Sequence, residues 1–143
     1  MREFRAAVEA RDMAAVEDLL ADDVTFTSPI VFKPYQGKPI TAAILRGVLR
    51  VFEDFHYLRE ISSADGREHA LIFQTVVDGR VVNGCDFLHL NADGLIDDFM
   101  VMVRPLSGAE ALAAAMGAQF ERILAEAAAA IEAGRGQAVD SPE

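Results

Sequence analysis

The chain has 143 residues, of which 52% are hydrophobic and 25% charged, and a net charge of −10. A chain of this length usually folds as one domain with its own core. Nucleic acids and anionic membranes attract basic surfaces, whereas this sequence has 13 basic against 23 acidic residues, so neither is expected as a partner. No apolar run approaches the roughly 18–20 residues that cross a bilayer.

Cellular location and domain limits follow from the ends of the sequence and its cysteine content. The single cysteine, Cys85, cannot form an internal disulfide. The segment MREFRAAVEARD carries charges where a signal peptide has its apolar stretch, so a cytoplasmic location is expected. We expect one domain over residues 1–134 and a flexible polar tail over residues 135–143.

Helical spacing of apolar residues occurs three times before residue 53. Phe4 and Val8 indicate the first helix, and a second follows Asp12, whose side chain suits an N-cap. ADDVTFTSP then alternates with period two, which predicts a strand. Pro39 suits the first turn of a third helix. The apolar stripe of that helix is Ile40, Ile44, Leu45, Leu49 and Phe52.

The second half of the chain predicts an antiparallel meander followed by a helix. Strands are expected near residues 54–62, 68–77, 80–91 and 95–104, separated by the turn sequences ADGR, DG and NADG. Ser107 and Glu110 have capping-box spacing, and a helix from there is expected to end at about Ala133, before Gly134. This order of elements is typical of an α+β protein.

One carboxylate, Asp86, interrupts the apolar strand NGCDFLHL. A two-residue turn at Asp78-Gly79 pairs Val77 with Arg80, and counting inward places Asp86 opposite Leu71. The same face then carries Leu71, Phe73, Val82 and Leu88. Because a buried charge without a partner costs several kcal/mol, Asp86 must be exposed, paired or neutral.

The following turn, NADG, predicts the register with the last strand. A type I turn with Gly94 in the left-handed conformation places Leu90 opposite Ile96 and Asp86 opposite Met100. Asp98, Met100 and Met102 then share the Asp86 face. The opposite face carries Phe87, Phe99 and Val101 among others and is either exposed to solvent or part of an interface.

If helices cover the Asp86 face, they enclose an apolar hollow with one or two carboxyl groups, which is the usual setting of a small-molecule site. Asp86 is either a ligand-facing acid or a structural carboxylate bound by a hydroxyl or a backbone amide. Asp98 fits solvent exposure or a structural role as well as catalysis, and Tyr57 fits core packing as well as ligand contact. The sequence has no recognisable metal, phosphate-loop or nucleophile motif, so neither a metal nor a cofactor is expected.

Three segments carry a family resemblance: LLADDVTFTSP, YQGKPI and GCDFLHLNADGLIDDFMVMVRPLSG. They resemble the SnoaL-like and ketosteroid isomerase-like members of the nuclear transport factor two-like superfamily over residues 2–118. The resemblance implies a cone of three N-terminal helices over a curved, mixed and mainly antiparallel sheet, with a C-terminal helix. It also implies an apolar pocket and a homodimer through the outer sheet face.

The resemblance transfers only part of the isomerase machinery. The general-base aspartate falls on Ser28 and the oxyanion-hole tyrosine on Phe4, whereas the second oxyanion-hole acid falls on Asp86. Ketosteroid isomerisation itself is therefore not expected. The acid of SnoaL-type cyclases falls on Asp98, and the arginine of the epoxide hydrolase pattern is replaced by Gly84.

Two hypotheses remain open at the level of sequence. In the first, the protein binds an apolar, steroid-like or polyketide-like ligand, and Asp86, assisted by Asp98, catalyses cofactor-free isomerisation, cyclisation or dehydration. In the second, it is a non-catalytic ligand-binding or dimeric interaction module, and Asp86 is structural. The expected pocket residues are Phe4, Ser28, Tyr57, Leu71, Phe73, Leu88, Met100 and Met102.

Overall fold

The computed structural model describes the backbone of residues 1–140 and the side chains of residues 1–135. The helices are α1 (Arg2–Glu9), α2 (Met13–Asp18), α3 (Lys38–Val51), α4 (Leu106–Gly117) and α5 (Phe120–Asp140). The strands are β1 (Leu20–Thr27), β2 (Tyr35–Gln36), β3 (Glu53–Ser62), β4 (Glu68–Val77), β5 (Arg80–Leu90) and β6 (Ile96–Arg104). The predicted α+β class and the three N-terminal helices are confirmed.

The starts of two helices follow from local chemistry. The backbone N–H of Ala15 donates to Oδ1 of Asp12 over 3.1 Å, so Asp12 caps α2 as predicted. Pro39 lies in the first turn of α3, where its missing N–H costs nothing. No helix within residues 1–140 is both long and apolar enough to cross a membrane.

The strands form one curved, open sheet in the order β2-β1-β6-β5-β4-β3. Strand β1 pairs with β6 in parallel and every other pairing is antiparallel, which confirms the mixed, mainly antiparallel sheet. The short strand β2 was not predicted. It pairs with β1 through Gln36 opposite Thr25, within the segment between Pro29 and Pro39.

The hairpin between β4 and β5 has the predicted register. Asp78 and Gly79 have φ angles of 49° and 75°, as a type I′ turn requires at both central residues. Val77 therefore pairs with Arg80, and Asp86 pairs with Leu71. The expected set of residues on the Asp86 face of these two strands is confirmed.

The register between β5 and β6 was predicted incorrectly. Leu90 pairs with Ile96 as expected, but His89 then pairs with Asp98, so Asp97 is an extra residue in a β-bulge. Asp86 consequently lies opposite Val101 and not opposite Met100.

The reason for this bulge is the spacing of two core residues. Ile96 and Phe99 are 0% and 1% exposed, yet they are three positions apart, and strict alternation would turn one of them outward. The bulge places both on the inner face. It also turns Asp98, Met100 and Met102 to the outer face, where Met102 is 55% exposed.

The C-terminal helical region differs from the prediction at three points. Helix α4 begins at Leu106 with Pro105 as its N-cap and has no side-chain cap, so the capping box at Ser107 does not form. The helix is interrupted after Gly117. Helix α5 continues through Gly134 to Asp140, beyond the predicted end at Ala133. Residues 141–143 of the predicted tail lie outside the described residues.

Candidate functional site

An apolar cavity of about 60 Å³ lies between the helices and the inner face of the sheet. Phe4 of α1, Leu45 of α3 and Leu112 of α4 line its helical side, and Phe99 and Val101 of β6 line part of the sheet side. Among the described side chains that line it, the two polar ones are Tyr57 of β3 and Asp86 of β5. The cavity therefore presents one hydroxyl and one carboxyl group within hydrocarbon and aromatic surroundings.

The carboxyl group of Asp86 is almost completely buried. The residue is 7% exposed, and burial raises its pKa from 3.8 to about 7 because the charged form loses its hydration. Half of these carboxyl groups therefore carry a proton near neutral pH. A neutral carboxyl group can donate a hydrogen bond, which a carboxylate cannot.

Tyr57 is the hydrogen-bond partner of Asp86. Its Oη donates to Oδ2 of Asp86 over 3.3 Å, and the residue is 7% exposed. Burial, and then the nearby Asp86 carboxyl, raise the pKa of Tyr57 far above its usual value, so the phenol stays neutral. The Arg5 guanidinium lies 5.5 Å from the centre of the Tyr57 ring, in cation–π range.

Aromatic rings form the wall beside this pair. The Phe55 ring packs edge-on against Tyr57 and Phe73, with centroid distances of 4.9 and 5.1 Å. Phe73 can lie flat across β5 because its cross-strand partner is Gly84. A Cβ atom at Gly84 would lie 2.1 Å from Cζ of Phe73, so any larger residue would displace the ring. The arginine of the epoxide hydrolase pattern therefore has no space at this position.

The predicted pocket residues divide into four groups. Phe4, Tyr57 and Phe73 line the cavity. Leu71 and Leu88 share the inner face with Asp86 but are buried in the core and do not line the cavity. Ser28 lines a neighbouring cavity, described below. Met100 and Met102, which were expected here, lie on the outer face.

Asp98, the second catalytic candidate, is not beside Asp86. It is exposed on the outer face, paired in register with His89. His89 there hydrogen-bonds through Nδ1 to Oδ1 of Asp97, and its Nε2 lies 3.4 Å from Oε1 of Glu68. These carboxylates raise the pKa of His89, with the Asp97 hydrogen bond as the largest cause. Asp98 belongs to this acidic outer cluster and does not face the cavity.

Phe55, Phe99 and Val101 are among the lining residues that the sequence did not place in the pocket. Phe99 and Val101 were assigned to the outer face, and the three-residue spacing of Ile96 and Phe99 was the signal that could have corrected this. Phe55 lines the cavity next to an irregularity in the pairing of β3, where Asp54 has a φ angle of 51°. A positive φ at Asp54 could not be read from the strand pattern.

A second apolar cavity of about 240 Å³ adjoins the first. It lies between α3, the two C-terminal helices and the segment after β1. Ser28 lines it, but its Oγ accepts hydrogen bonds from the backbone N–H groups of Ile30 and Val31, over 3.2 and 2.9 Å. Ser28 therefore organises this segment. The residues common to both cavities are Phe26, Pro29, Val48 and Leu112.

Metal ligands do not cluster in the part of the chain that the structure describes. No group of three or more His, Cys, Asp or Glu residues there could hold a metal ion. The outer cluster around His89 is included in this statement.

Comparison with known proteins gives the family. The model of the SnoaL-like domain matches residues 1–99. A steroid delta-isomerase from Pseudomonas aeruginosa is 44% identical, with a TM-score of 0.81, over 87% of this chain and 90% of that one. An uncharacterised protein with a cystatin-like fold from Silicibacter pomeroyi is 35% identical over 87% and 89% of the two chains, also with a TM-score of 0.81.

More distant structures share the fold alone. A proposed polyketide cyclase from Pseudomonas putida is 22% identical, with a TM-score of 0.63, over 75% of this chain and 90% of that one. A search of curated proteins found no match. The chain belongs to the SnoaL-like domain family and has the nuclear transport factor two-like fold.

Proposed function

We propose that this protein binds an apolar small molecule bearing a carbonyl or hydroxyl group and catalyses a cofactor-free proton transfer on it, with Asp86 as the acid. The observation that carries the proposal is the position of Asp86: a carboxyl group with a pKa raised to about 7, facing an otherwise apolar cavity. Perturbed acids in apolar pockets are typical of catalytic sites.

The geometry favours the neutral form of Asp86 as the working form. Tyr57 uses its single O–H group on Oδ2, so a proton on Oδ1 is directed to a ligand. A hydrogen bond from Oδ1 to a carbonyl oxygen stabilises the negative charge that develops there during enolisation. The same proton can be given to a departing hydroxyl group in a dehydration.

The carbon-bound proton of an isomerisation needs an acceptor. The described side chains that line the cavity offer no ionisable group besides Tyr57 and Asp86. The acceptor is therefore water or the Asp86 carboxylate formed when its own proton moves to the ligand oxygen. In the second case Asp86 gives its proton to the carbonyl oxygen and takes a proton from carbon, which forms a dienol. It then returns that proton to another carbon and takes the oxygen-bound proton back, so the ketone product and the neutral acid are both restored.

The size of the cavity restricts the ligand. An apolar cavity of roughly 150 Å³ holds one benzene molecule. The Asp86 cavity has about 60 Å³, so it takes the polar end of a narrow ligand and not a fused ring system. The similarity to the Pseudomonas aeruginosa steroid delta-isomerase supports proton transfer as the reaction class, and the cavity argues for a narrower substrate than a steroid.

Isomerisation of a linear β,γ-unsaturated ketone tests the proposal. The probe is 4-hexen-2-one, whose conversion to the conjugated 3-hexen-2-one is followed by ultraviolet absorbance. Asp86→Asn should lower kcat/KM by about 100-fold or more, the range of general acid catalysis. Asp98→Asn, on the outer face, should stay within about twofold of the wild type. Equal rates for wild type and Asp86→Asn would reject catalysis by Asp86.

One observation favours a second function, that of a non-catalytic binding protein. A separate general base is missing from the described lining of the cavity, so binding without turnover is chemically coherent. Proton NMR of 2-pentanone in D₂O separates the two. A binder shifts the ligand signals without exchanging the protons next to the carbonyl, whereas the enzyme replaces them with deuterium in an Asp86-dependent manner.

We further propose that a second copy of the chain covers the outer face of the sheet. Phe87 and Met102, on the inner strands β5 and β6, and Ile61, on the edge strand β3, lie on that face and are 41%, 55% and 55% exposed. Exposed apolar groups of this kind on one face are typical of an interface.

The charges on this face are self-complementary. Arg104 lies towards one end of the strands, and Glu68 and Asp98 towards the other, with Phe87 and Met102 between them. A two-fold axis through the apolar centre brings the basic end of one copy onto the acidic end of its partner, as an isologous dimer requires. A cytoplasmic location stays a prediction.

A further inference from the structure

The cavity at Asp86 has room for only a small part of a ligand. At about 60 Å³ it surrounds the reacting group, whereas ligand pockets commonly measure about 300–1,000 Å³. Either the ligand projects into solvent or its apolar remainder lies in a second compartment.

A second compartment is present beside the first. The adjoining cavity measures about 240 Å³, and its boundary with the Asp86 cavity is formed by the shared side chains of Val48 and Leu112, together with Phe26 and Pro29. These residues come from α3, α4, β1 and the loop that follows β1, so the two spaces meet where α3, α4 and the end of β1 converge. Together the volumes reach the lower end of the usual range for a ligand pocket.

The walls of the second compartment indicate what it takes. Ile44, Ala113, Met116 and Ile123 contribute apolar side chains to it. The hydroxyl oxygen of Ser28, one of its polar lining residues, accepts hydrogen bonds from the loop backbone. The compartment therefore offers burial to hydrocarbon and little recognition of charge.

Resting on the proposed function, we infer that the substrate class is a linear carbonyl compound whose polar end is bound at Asp86 and whose alkyl chain passes Val48 and Leu112 into the compartment against α4. In this arrangement α4, and Ala113 in particular, determines the chain length accepted. Ala113 lines the second compartment and not the Asp86 cavity, so it acts on the chain and not on the reacting group.

Binding of methyl ketones from 2-pentanone to 2-undecanone, measured by isothermal titration calorimetry, tests this. Affinity should rise about fourfold with each added methylene until the compartment is filled. Ala113→Phe should reduce that gain to less than about twofold per methylene, because the ring fills the compartment. Gly117→Leu should act in the same direction, since a Cβ there meets no atom within 4 Å and the side chain has room to enter.

The matched control is Ala114→Phe, on the adjacent, exposed position of α4, which should keep the wild-type gain. Circular dichroism melting confirms folding of each variant, and Gly117→Leu provides the test if Ala113→Phe does not fold. A wild type without chain-length gain, or a gain unchanged in both filled variants, overturns the inference. The inference is also overturned if the filled variants lose the dimer while their affinities for the methyl ketones stay unchanged. The compartment would then bind a second copy of the chain and not an alkyl chain.

The two proposals fail separately in this design. Loss of 4-hexen-2-one isomerisation in Asp86→Asn concerns the Asp86 site, whereas loss of the chain-length gain in Ala113→Phe concerns the compartment. A chain-length gain that survives Asp86→Asn, together with isomerisation as fast as in the wild type, supports the alkyl compartment and rejects the acid.

Discussion

Tyr57 donates a hydrogen bond to Asp86 across two strands that are not neighbours in the sheet, from β3 over β4 to β5, with 3.3 Å between Oη and Oδ2. Both residues are buried on the inner face of the curved sheet. The bond opposes the effect of burial on Asp86, since it stabilises the charged form of the carboxyl. It also leaves Oδ1 to the ligand.

Tyr57→Phe should raise the pKa of Asp86 above its wild-type value of about 7, because the hydrogen bond that lowers it is removed while burial remains. The pH at which activity is lost should therefore move upward. The lost hydrogen bond should cost about 0.5–1.5 kcal/mol of unfolding free energy. The pH dependence of kcat/KM and of urea unfolding measures both effects.

Tyr35→Phe is the matched control for this change, because Tyr35 lies in β2 at the far edge of the sheet from Tyr57. Its pH profile should equal that of the wild type. A Tyr57→Phe profile shifted to lower pH would contradict the assigned direction of the hydrogen bond.

Asp86 should make the protein less stable as pH rises, the reverse of ordinary acid denaturation. Its folded-state pKa of about 7 lies above the unfolded value of 3.8, so the folded state holds the proton more tightly. The stabilisation is fully present below about pH 4 and is lost as the pH rises to about 7. Because one pKa unit corresponds to about 1.4 kcal/mol, the unfolding free energy lost is on the order of 4 kcal/mol at most.

Asp86→Asn isolates this contribution. His89 also has a raised pKa, so its ionisation contributes to the pH dependence of the wild type as well, and the wild type alone cannot separate the two. The unfolding free energy of the variant minus that of the wild type should increase between pH 4 and pH 8, as followed by urea unfolding. A difference that does not change with pH would mean that Asp86 is already ionised in the folded protein.

The prediction from sequence was accurate wherever a turn fixed the pairing and failed where a bulge altered it. Asp78-Gly79 allows one hairpin geometry, so the partners of Asp86 on β4 could be counted from it. The bulge at Asp97 follows from a tertiary requirement, since Ile96 and Phe99 must both enter the core. Counting from the turn at Gly94 did not include that requirement, and it exchanged the faces of Asp98 and Phe99.

The site itself could be predicted only in part for a similar reason. Asp86 and Tyr57 were both placed on the inner side, but their hydrogen bond spans strands whose relative position depends on the irregular pairing near Asp54. The division of the pocket into two spaces depends on how α4 packs, which apolar spacing does not specify.

Gly84→Ala should destabilise the protein and distort the cavity. The new Cβ would lie 2.1 Å from Cζ of Phe73, so the ring must shift, which disturbs its edge-on contact with Phe55. Such overpacking costs about 1–3 kcal/mol, measurable by urea unfolding, and ketone affinity should fall with it. Gly134→Ala, inside α5, is the control, because nothing lies within 4 Å of its Cβ and alanine favours a helix interior by up to about 1 kcal/mol. An unchanged stability for Gly84→Ala would show that the ring can be displaced at little cost.

Phe87→Arg should convert the proposed dimer to monomers, as measured by sedimentation velocity, with the fold retained because Phe87 is 41% exposed on the outer face. The register predicted from the sequence placed Phe99 on the outer face as well, so it would have made Phe99→Arg an equivalent experiment. Phe99 is instead 1% exposed and packs edge-on against Phe4 and Phe26, so an arginine there should unfold the protein and not report on assembly.

Leu124→Arg, at a 48% exposed position of α5, is the matched control for Phe87→Arg and should leave the assembly unchanged. If Phe87→Arg sediments as the wild type does, the outer face is not the interface, and its apolar residues are then exposed to solvent in the assembled protein.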